Sequence, residues 1–306
     1  MGGDDPGARW MAAMRRGDFA AAWEASDAVL RAHTPCWHLP RHEQWVWDGT
    51  PLDGRRVLIR CYHGLGDTLQ FIRYAPLVHA VAAEVAVWAQ PALIPLLRTA
   101  RGIDRILPLH DGACEAEHEV DVEVMELPHV FRSTVHDLPA AVPYLHADPA
   151  PIGRDGRLHV GLVWRAGEWD DRRSIPFPLL APLAEIPGIA LHVLQRGSAR
   201  GEAAGFGTDS GSDDVLACAR VMRALDLVVT VDSMTAHLAG ALAVPTWTLL
   251  HAKADWRWME GRGDSPWYPT MRLIRQEVPG EWGPVIARVA DGLRERAERR
   301  EMERQG

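Results

Sequence analysis

An acidic side chain that follows a predicted strand is the first candidate for chemistry. The short apolar run at 57–60 predicts a buried strand, and Asp67 follows it at the start of a predicted helix. Between them, His63, Gly64 and Gly66 form a turn whose glycines would let a ligand approach the backbone closely. A carboxylate in such a turn can accept a proton from a hydroxyl group. Simple capping of the helix by Asp67 explains the residue equally well.

The glycine pattern differs from the common nucleotide-binding motifs. A dinucleotide fingerprint needs a third glycine where Leu69 stands, and a P-loop needs Gly-Lys-Ser/Thr after the turn. The order of strand, turn and helix start is nevertheless the arrangement at which open α/β sheets bind ligands.

A second candidate is a predicted helix start directly after a strand. The β-branched run at 227–231 predicts the strand, which Asp232 ends. The backbone N–H groups of Ser233, Met234 and Thr235 would open the helix and, with its dipole, attract an anion. His237 lies one turn further on, on the side of Ser233. An ordinary capped helix with a hydrogen-bonded histidine is the alternative.

Two other predicted strand ends carry polar groups that suit an anion. The loop at 164–176 contains Arg165, Arg173 and Ser174, and guanidinium groups bind phosphate through paired hydrogen bonds. Gln195 ends the next strand. A solvated charged loop and an ordinary polar strand end explain these residues as well. Taken together, the candidates predict a ligand site in a cleft between two sheet domains.

Composition limits the class of protein and its partners. The 306 residues are 47% hydrophobic and 24% charged, as in a globular protein of one or two domains. The net charge of −8 argues against a nucleic-acid partner, which needs a broad basic face. Four distant cysteines argue against a disulfide framework and are typical of a reducing cytoplasm, where we expect the protein. Neither a signal peptide nor a transmembrane segment is predicted.

Strand and helix patterns alternate through most of the chain, which predicts an α/β protein with parallel sheets. We expect a helical N-terminal extension at 1–50, a sheet domain at 51–150, a second sheet domain at 151–281, and a C-terminal helix with a charged tail at 282–306. The Pro- and Gly-rich stretch at 147–156 is the predicted linker. Local patterns also predict a helix cap at Asp213, a strand at 120–124 with one open face, and a mobile loop at 196–212.

Several stretches carry a family resemblance. They are His63-Gly-Leu-Gly-Asp67 with the residues up to Leu77, Val160-Gly-Leu-Val-Trp164 with Arg172-Arg-Ser-Ile-Pro176, the run from Leu225 to Leu242, and Asp255-Trp-Arg-Trp258 with the residues 264–273. In this order they resemble GT-B glycosyltransferases of the ADP-heptose heptosyltransferase type, glycosyltransferase family nine. The chain is most similar to the variant found as the C-terminal domain of bacterial tetratricopeptide-repeat proteins.

The resemblance implies a fold, an activity and residue roles. The GT-B fold has two Rossmann-like domains facing across a cleft, and the implied activity is inverting transfer of a sugar from a nucleotide-diphosphate donor, without a metal or other cofactor. The family's proposed base corresponds to Asp67. The stretch that holds the donor sugar and diphosphate corresponds to Asp232, Ser233 and His237, and Arg173 corresponds to a basic contact of the diphosphate.

Two departures from the family pattern affect the predicted cleft. Tyr62 and His63 stand where the repeat-linked relatives usually carry Glu-Gln, and Arg165 is inserted into their usual Trp-Ala-Gly. Donor or acceptor identity can therefore differ, and a glycan, a small molecule or a protein remains open as the acceptor. Two rival functions also remain open: a nucleotide-sugar epimerase on the same fold, and a non-catalytic module that binds sugar nucleotides.

Overall fold

The computed structural model describes residues 5–32, 38–167 and 170–305. The chain divides into two compact units. Unit 1 contains the residues up to His146 together with Asp255–Arg262, and unit 2 contains Ala147–Ala254 and the residues from Gly263 onward. Unit 2 thus begins at the first residue of the predicted linker. The segment Asp255–Arg262 packs with unit 1 rather than in the second sheet domain, where the sequence patterns predicted it.

Unit 1 is built on a parallel sheet of four strands in the order β3-β2-β1-β4. The strands are β1 Arg56–Arg60, β2 Glu84–Ala89, β3 Arg105–Pro108 and β4 Val120–Glu123. The helices are α1 Pro6–Arg16, α2 Phe19–Arg31, α3 Leu65–Phe71, α4 Ala75–Val81, α5 Ile94–Leu97 and α6 Leu127–Val130. The apolar runs of β1 and β2 are buried almost throughout, as expected of parallel strands covered on both faces. Because β1 lies between β2 and β4, the strand order reverses beside it, and open sheets bind ligands at such points.

The N-terminal helices form part of unit 1. Asp5 caps α1 by accepting the N–H of Gly7, and Asp18 caps α2 by accepting that of Ala21. The indole Nε1 of Trp23 on α2 donates to the carbonyl of Ser133 at 2.7 Å. The predicted helical extension therefore packs on the sheet domain that follows it.

Unit 2 is built on a parallel sheet of six strands in the order β10-β9-β8-β5-β6-β7. The strands are β5 Leu158–Val163, β6 Ile189–Val193, β7 Thr208–Asp209, β8 Leu227–Val231, β9 Thr246–Leu250 and β10 Met271–Arg275. The helices are α7 Ala181–Ala184, α8 Val215–Ala224, α9 Met234–Ala241 and α10 Gly283–Gln305. The strand order reverses between β5 and β8. The buried face of α10, with Val285, Val289 and Leu293, belongs to the same core cluster as the strands.

Several local predictions were wrong. The strand at 120–124 has no open face, because Glu123 is buried. Helix α8 is capped by Asp214, which accepts the N–H of Ala217 at 2.7 Å, rather than by Asp213. The predicted loop at 196–212 contains a 3-10 helix at Ser198–Ala203 and the short strand β7, which pairs with β6. Strand β10 was not predicted, since its recognition depends on pairing with β9.

The structure describes three of the four cysteines. Cys61, Cys114 and Cys218 are free thiols, and Cys36 lies outside the described residues. Within the described ranges, none of the helices combines the length and apolarity needed to cross a bilayer.

Candidate functional site

Asp67 lies at the third position of α3, just past the carboxyl end of β1. Its Oδ2 accepts the backbone N–H of Gly64 at 2.8 Å, which closes the turn before the helix. Gly64 has a φ of −68°, a value that any residue adopts, and Gly66 lies within α3. A Cβ on Gly64 would lie 3.1 Å from the Asp67 carboxylate. Gly64 therefore leaves room for the Asp67 carboxylate, and the close approach of a ligand to these glycines remains a prediction.

Arg257 pairs with Asp67, a contact that the sequence patterns do not indicate. Nη2 of Arg257 donates to Oδ1 of Asp67, and Nη1 donates to Oδ1 of Asp255 at 2.8 Å. The guanidinium also lies 4.7 Å from the ring centroid of Trp256. Only 10% of the Arg257 side chain is exposed, compared with 22% for Asp67. Two donors, Gly64 and Arg257, therefore fix the orientation of the Asp67 carboxylate.

A buried carboxylate lies beside the same turn. Nδ1 of His63 is 3.0 Å from Oε1 of Glu123, the last residue of β4, whose side chain is 2% exposed. Burial acts to lower the pKa of His63, but the adjacent Glu123 carboxylate and the charge of Asp67 outweigh burial. The pKa of His63 therefore lies above its ordinary value. The structure thus brings the predicted residues His63, Gly64 and Asp67 together and adds Glu123, which sequence patterning placed on an open face.

Unit 2 holds a cavity of about 530 Å³ next to the ends of β5, β6 and β8. Five predicted site residues line it: Arg165, Gln195, Ser233, Met234 and Thr235. Arg196, Gly197 and Asp213 also contribute to the lining. The cavity lies where the strand order of the six-stranded sheet reverses, which is where open sheets bind ligands.

The start of α9 forms one wall of this cavity. Ser233 is the N-cap residue, and its Oγ accepts the N–H of Thr235 at 3.3 Å. The expectation that all three opening N–H groups await an anion was therefore wrong for Thr235. The cap leaves the positive end of the helix dipole directed at the cavity.

Three predicted donor contacts are engaged within the protein. Arg173 is buried and donates from Nη1 to the carbonyl of Asp232 at 3.1 Å. Ser174 Oγ accepts the N–H of Ala166 at 3.1 Å. Among the described residues, neither Arg173, Ser174 nor Asp232 lines the cavity. These bonds hold the loop after β5 against the end of β8, and the predicted contact with a donor remains a prediction.

Two further residues predicted to bind the donor, Gln195 and His237, also contact groups of the protein itself. Gln195 Oε1 accepts the N–H groups of Trp164 and Arg165 at 3.2 and 3.0 Å, which ties the ends of β6 and β5 together. His237 is buried, and its Nδ1 lies 3.0 Å from the hydroxyl of Tyr268. A Cβ on Gly240 would lie 2.3 Å from the Tyr268 ring, so a glycine is needed for this close packing on α9.

The arginines that line the cavity already donate hydrogen bonds within unit 2. Arg165 donates to the Glu202 carboxylate at 2.7 Å, and Nη2 of Arg196 donates to the carbonyl of Asp213 at 2.5 Å. An anionic ligand would compete for these guanidinium groups. Within the described ranges, no group of three or more His, Cys, Asp or Glu side chains could hold a metal ion.

Comparison with known sequences finds a distant relative. No protein-family model matches the chain. Protein FlbA of Caulobacter vibrioides (strain ATCC 19089 / CIP 103742 / CB 15) is 27% identical over 323 residues, covering 92% of this chain and 53% of that protein. The chain therefore spans about half the length of this relative.

Solved structures share the fold. A glycosyl transferase family 9 structure from Veillonella parvula DSM 2008 has a TM-score of 0.56 at 10% identity, covering 74% of this chain and 87% of that chain. The E. coli ADP-heptose lipopolysaccharide heptosyltransferase II has a TM-score of 0.55 at 13% identity, covering 79% and 99%. The iron-containing dodecameric glycosyltransferase TibC from enterotoxigenic E. coli H10407 has a TM-score of 0.56 at 12% identity, covering 82% and 78%. The predicted α/β fold of the GT-B heptosyltransferase type is confirmed.

Proposed function

We propose that the protein is an inverting, metal-independent glycosyltransferase that moves a sugar from a nucleotide-diphosphate donor to an acceptor hydroxyl. The observation that carries the proposal is the placement of Asp67 at the sheet reversal of unit 1, where two donors hold its carboxylate. The fold shared with a family 9 glycosyltransferase supports this assignment. Fold likeness would not be sufficient without the position of Asp67, because one fold can serve many functions.

Asp67 would act as the general base. Its carboxylate takes the proton of the acceptor hydroxyl while the hydroxyl oxygen attacks the anomeric carbon of the donor. The bond from that carbon to the diphosphate oxygen breaks, and the electron pair leaves with the diphosphate. Attack from the side opposite the leaving group inverts the anomeric configuration.

The cavity of unit 2 would bind the donor diphosphate. The start of α9 at Ser233 and the guanidinium groups of Arg165 and Arg196 supply positive charge at its walls. In this account the leaving group is stabilised by arginine and the helix dipole, without a metal. The donor sugar is open, with a heptose as one candidate, because the E. coli structure named above is an ADP-heptose transferase.

The structure of TibC is named as iron-containing. The described residues do not supply the three or more side chains such an ion would need, and no step of the proposal uses it.

Donor screening with product analysis tests the proposal. The protein is mixed with a panel of nucleotide-diphosphate sugars and acceptors, release of the nucleoside diphosphate is measured, and the product anomer is assigned by proton NMR. We expect acceptor-dependent release, an inverted product and the same rate with a chelator. Retention of configuration, or a rate that returns only on adding a divalent metal, would contradict the mechanism. Conversion of the sugar without acceptor would indicate an epimerase, and binding without turnover a binding module.

A further inference from the structure

Unit 1 holds a second cavity, of about 360 Å³, that the mechanism above does not use. We call it the tryptophan pocket. Three tryptophans line it, Trp10 on α1, Trp23 on α2 and Trp45, and we call its lining residues His63, Glu123 and Glu126 the floor. The N-terminal helices therefore complete a cavity whose floor belongs to the ends of β1 and β4.

The floor of the tryptophan pocket adjoins the proposed base. His63 immediately precedes Gly64, whose N–H is bonded to Asp67. Met125 lines the pocket, and its sulfur is 3.8 Å from Nη2 of Arg257, the guanidinium nitrogen that also binds Asp67. A ligand in the pocket would thus lie next to the residues that hold the Asp67 carboxylate.

The lining favours an uncharged ligand over an anionic one. The described lining contains three glutamates and three histidines and no lysine or arginine. A phosphate or carboxylate would meet the glutamate carboxylates there, and no lysine or arginine of the described lining would offset its desolvation.

The floor carboxylates already have hydrogen-bonding or charged partners within the protein, so they do not call for a cationic ligand. Glu123 lies 3.0 Å from His63. Glu126 accepts three backbone N–H groups, from Val46, Trp47 and Glu123, at 2.8–2.9 Å. Carboxylate oxygens with spare lone pairs and imidazole nitrogens are suitable partners for hydroxyl groups.

The aromatic walls suit a ring with apolar C–H faces. Trp10 is held at a defined angle by the edge of Trp256, with ring centroids 5.0 Å apart at 75°. Large rigid indole surfaces contribute contact area at little cost in side-chain entropy. The volume lies at the small end of the range for ligand pockets, about 300–1,000 Å³.

We propose that the tryptophan pocket binds the acceptor, and that the acceptor is an uncharged carbohydrate. The inference rests on the proposed function and adds the class of acceptor and the part played by the N-terminal helices. An indole face would pack on the sugar ring, and the floor side chains would bind its hydroxyls beside Asp67.

The test compares matched acceptors and matched variants of the full chain. Methyl glycosides of glucose, galactose, mannose and N-acetylglucosamine are compared with the 6-phosphates of the same sugars, using the donor found by screening. Trp10→Leu removes the indole face and keeps apolar bulk, whereas Trp10→Phe keeps an aromatic face. Melting curves and donor affinity by calorimetry are recorded for both variants.

We expect turnover with at least one neutral glycoside and less with its phosphate. Trp10→Leu should raise the acceptor KM about tenfold at unchanged donor affinity, and Trp10→Phe should restore most of the difference. Preference for the phosphorylated acceptors, transfer to serine peptides only, or an unchanged KM in a folded Trp10→Leu protein would overturn the pocket assignment while leaving the glycosyltransferase intact. A protein that neither binds nor consumes any donor would overturn the proposed function, and this inference with it.

Discussion

Replacing Asp67 by asparagine separates its proposed chemistry from its structural bonds. The carboxylate serves two donors at once, the N–H of Gly64 and the guanidinium of Arg257. An asparagine side chain has one acceptor oxygen and one NH₂ group, so it satisfies one donor and turns its NH₂ toward the other. Capping alone would make this substitution nearly neutral, but here Asp67→Asn must lose one bond.

The stability cost follows from that lost bond. A hydrogen bond to a charged group contributes ~1.5–3 kcal/mol. Arg257 keeps Asp255 as a partner, so the loss should stay within this range. For a domain of 150–250 residues this corresponds to a fall in Tm of about 2–4 °C per kcal/mol.

The expected loss of turnover in Asp67→Asn is larger than its loss of stability, and the two can be measured separately. Removing a general base typically lowers the rate ~10²–10⁴-fold, equivalent to about 2.7–5.4 kcal/mol of transition-state stabilisation at 1.36 kcal/mol per tenfold. Asp255→Asn is the matched control, because it weakens the hold on Arg257 and leaves the proposed base in place. We expect a similar fall in Tm from both variants and a large fall in turnover from Asp67→Asn alone.

Melting curves, calorimetry with the donor and steady-state turnover on both variants complete the assay. A folded Asp67→Asn protein that binds donor normally and turns over at near the wild-type rate would refute the assignment. Equal losses of turnover in the two variants would show that the geometry of Arg257, rather than proton transfer, is what the substitution disturbs.

Three further predictions concern unit 2. Nδ1 of His159 lies 2.9 Å from Nε2 of His192, and burial, with nearby positive charge, lowers the pKa of both histidines below 6.5. The folded state therefore binds fewer protons than the unfolded state at mildly acidic pH. The free energy of unfolding should be fully present above pH 6.5 and fall as the pH is lowered through the folded pKa values. Urea titrations from pH 8 to 5 check this, and a His192→Asn variant whose stability varies equally with pH would contradict it. Gly240→Ala should destabilise by ~1–3 kcal/mol, since its Cβ would lie 2.3 Å from the Tyr268 ring; an unchanged denaturation midpoint would show that the ring moves away freely. Arg173→Ala should weaken donor binding by ~1.5–3 kcal/mol, and it should also lower Tm because Arg173 bonds the carbonyl of Asp232; calorimetry showing wild-type affinity in the folded variant would remove Arg173 from the donor site.

Local sequence patterns were sufficient for most of the elements and for the position of the main candidates. Alternating or continuous apolar residues predict strands, and polar capping residues predict the starts of helices. These local patterns place Asp67 and Ser233 at junctions between a strand and a helix. Parallel sheets then place the carboxyl ends of neighbouring strands on one edge. For this reason Arg165, Gln195 and Ser233 were expected near one another, and they line one cavity.

Tertiary packing alone decided which partners these side chains bind within the protein. Arg257 lies 190 residues from Asp67 in the chain, and nothing in the local pattern of either residue indicates their pairing. The segment Asp255–Arg262 packs with unit 1 because its aromatic residues contact α1 and α3, as Trp256 does with Trp10 and Phe71. The burial of Glu123 and the inward bond of Arg173 have the same origin. Burial and ion pairing depend on which distant surfaces meet, whereas periodicity reports only on the face that a residue shares with its neighbours along the chain.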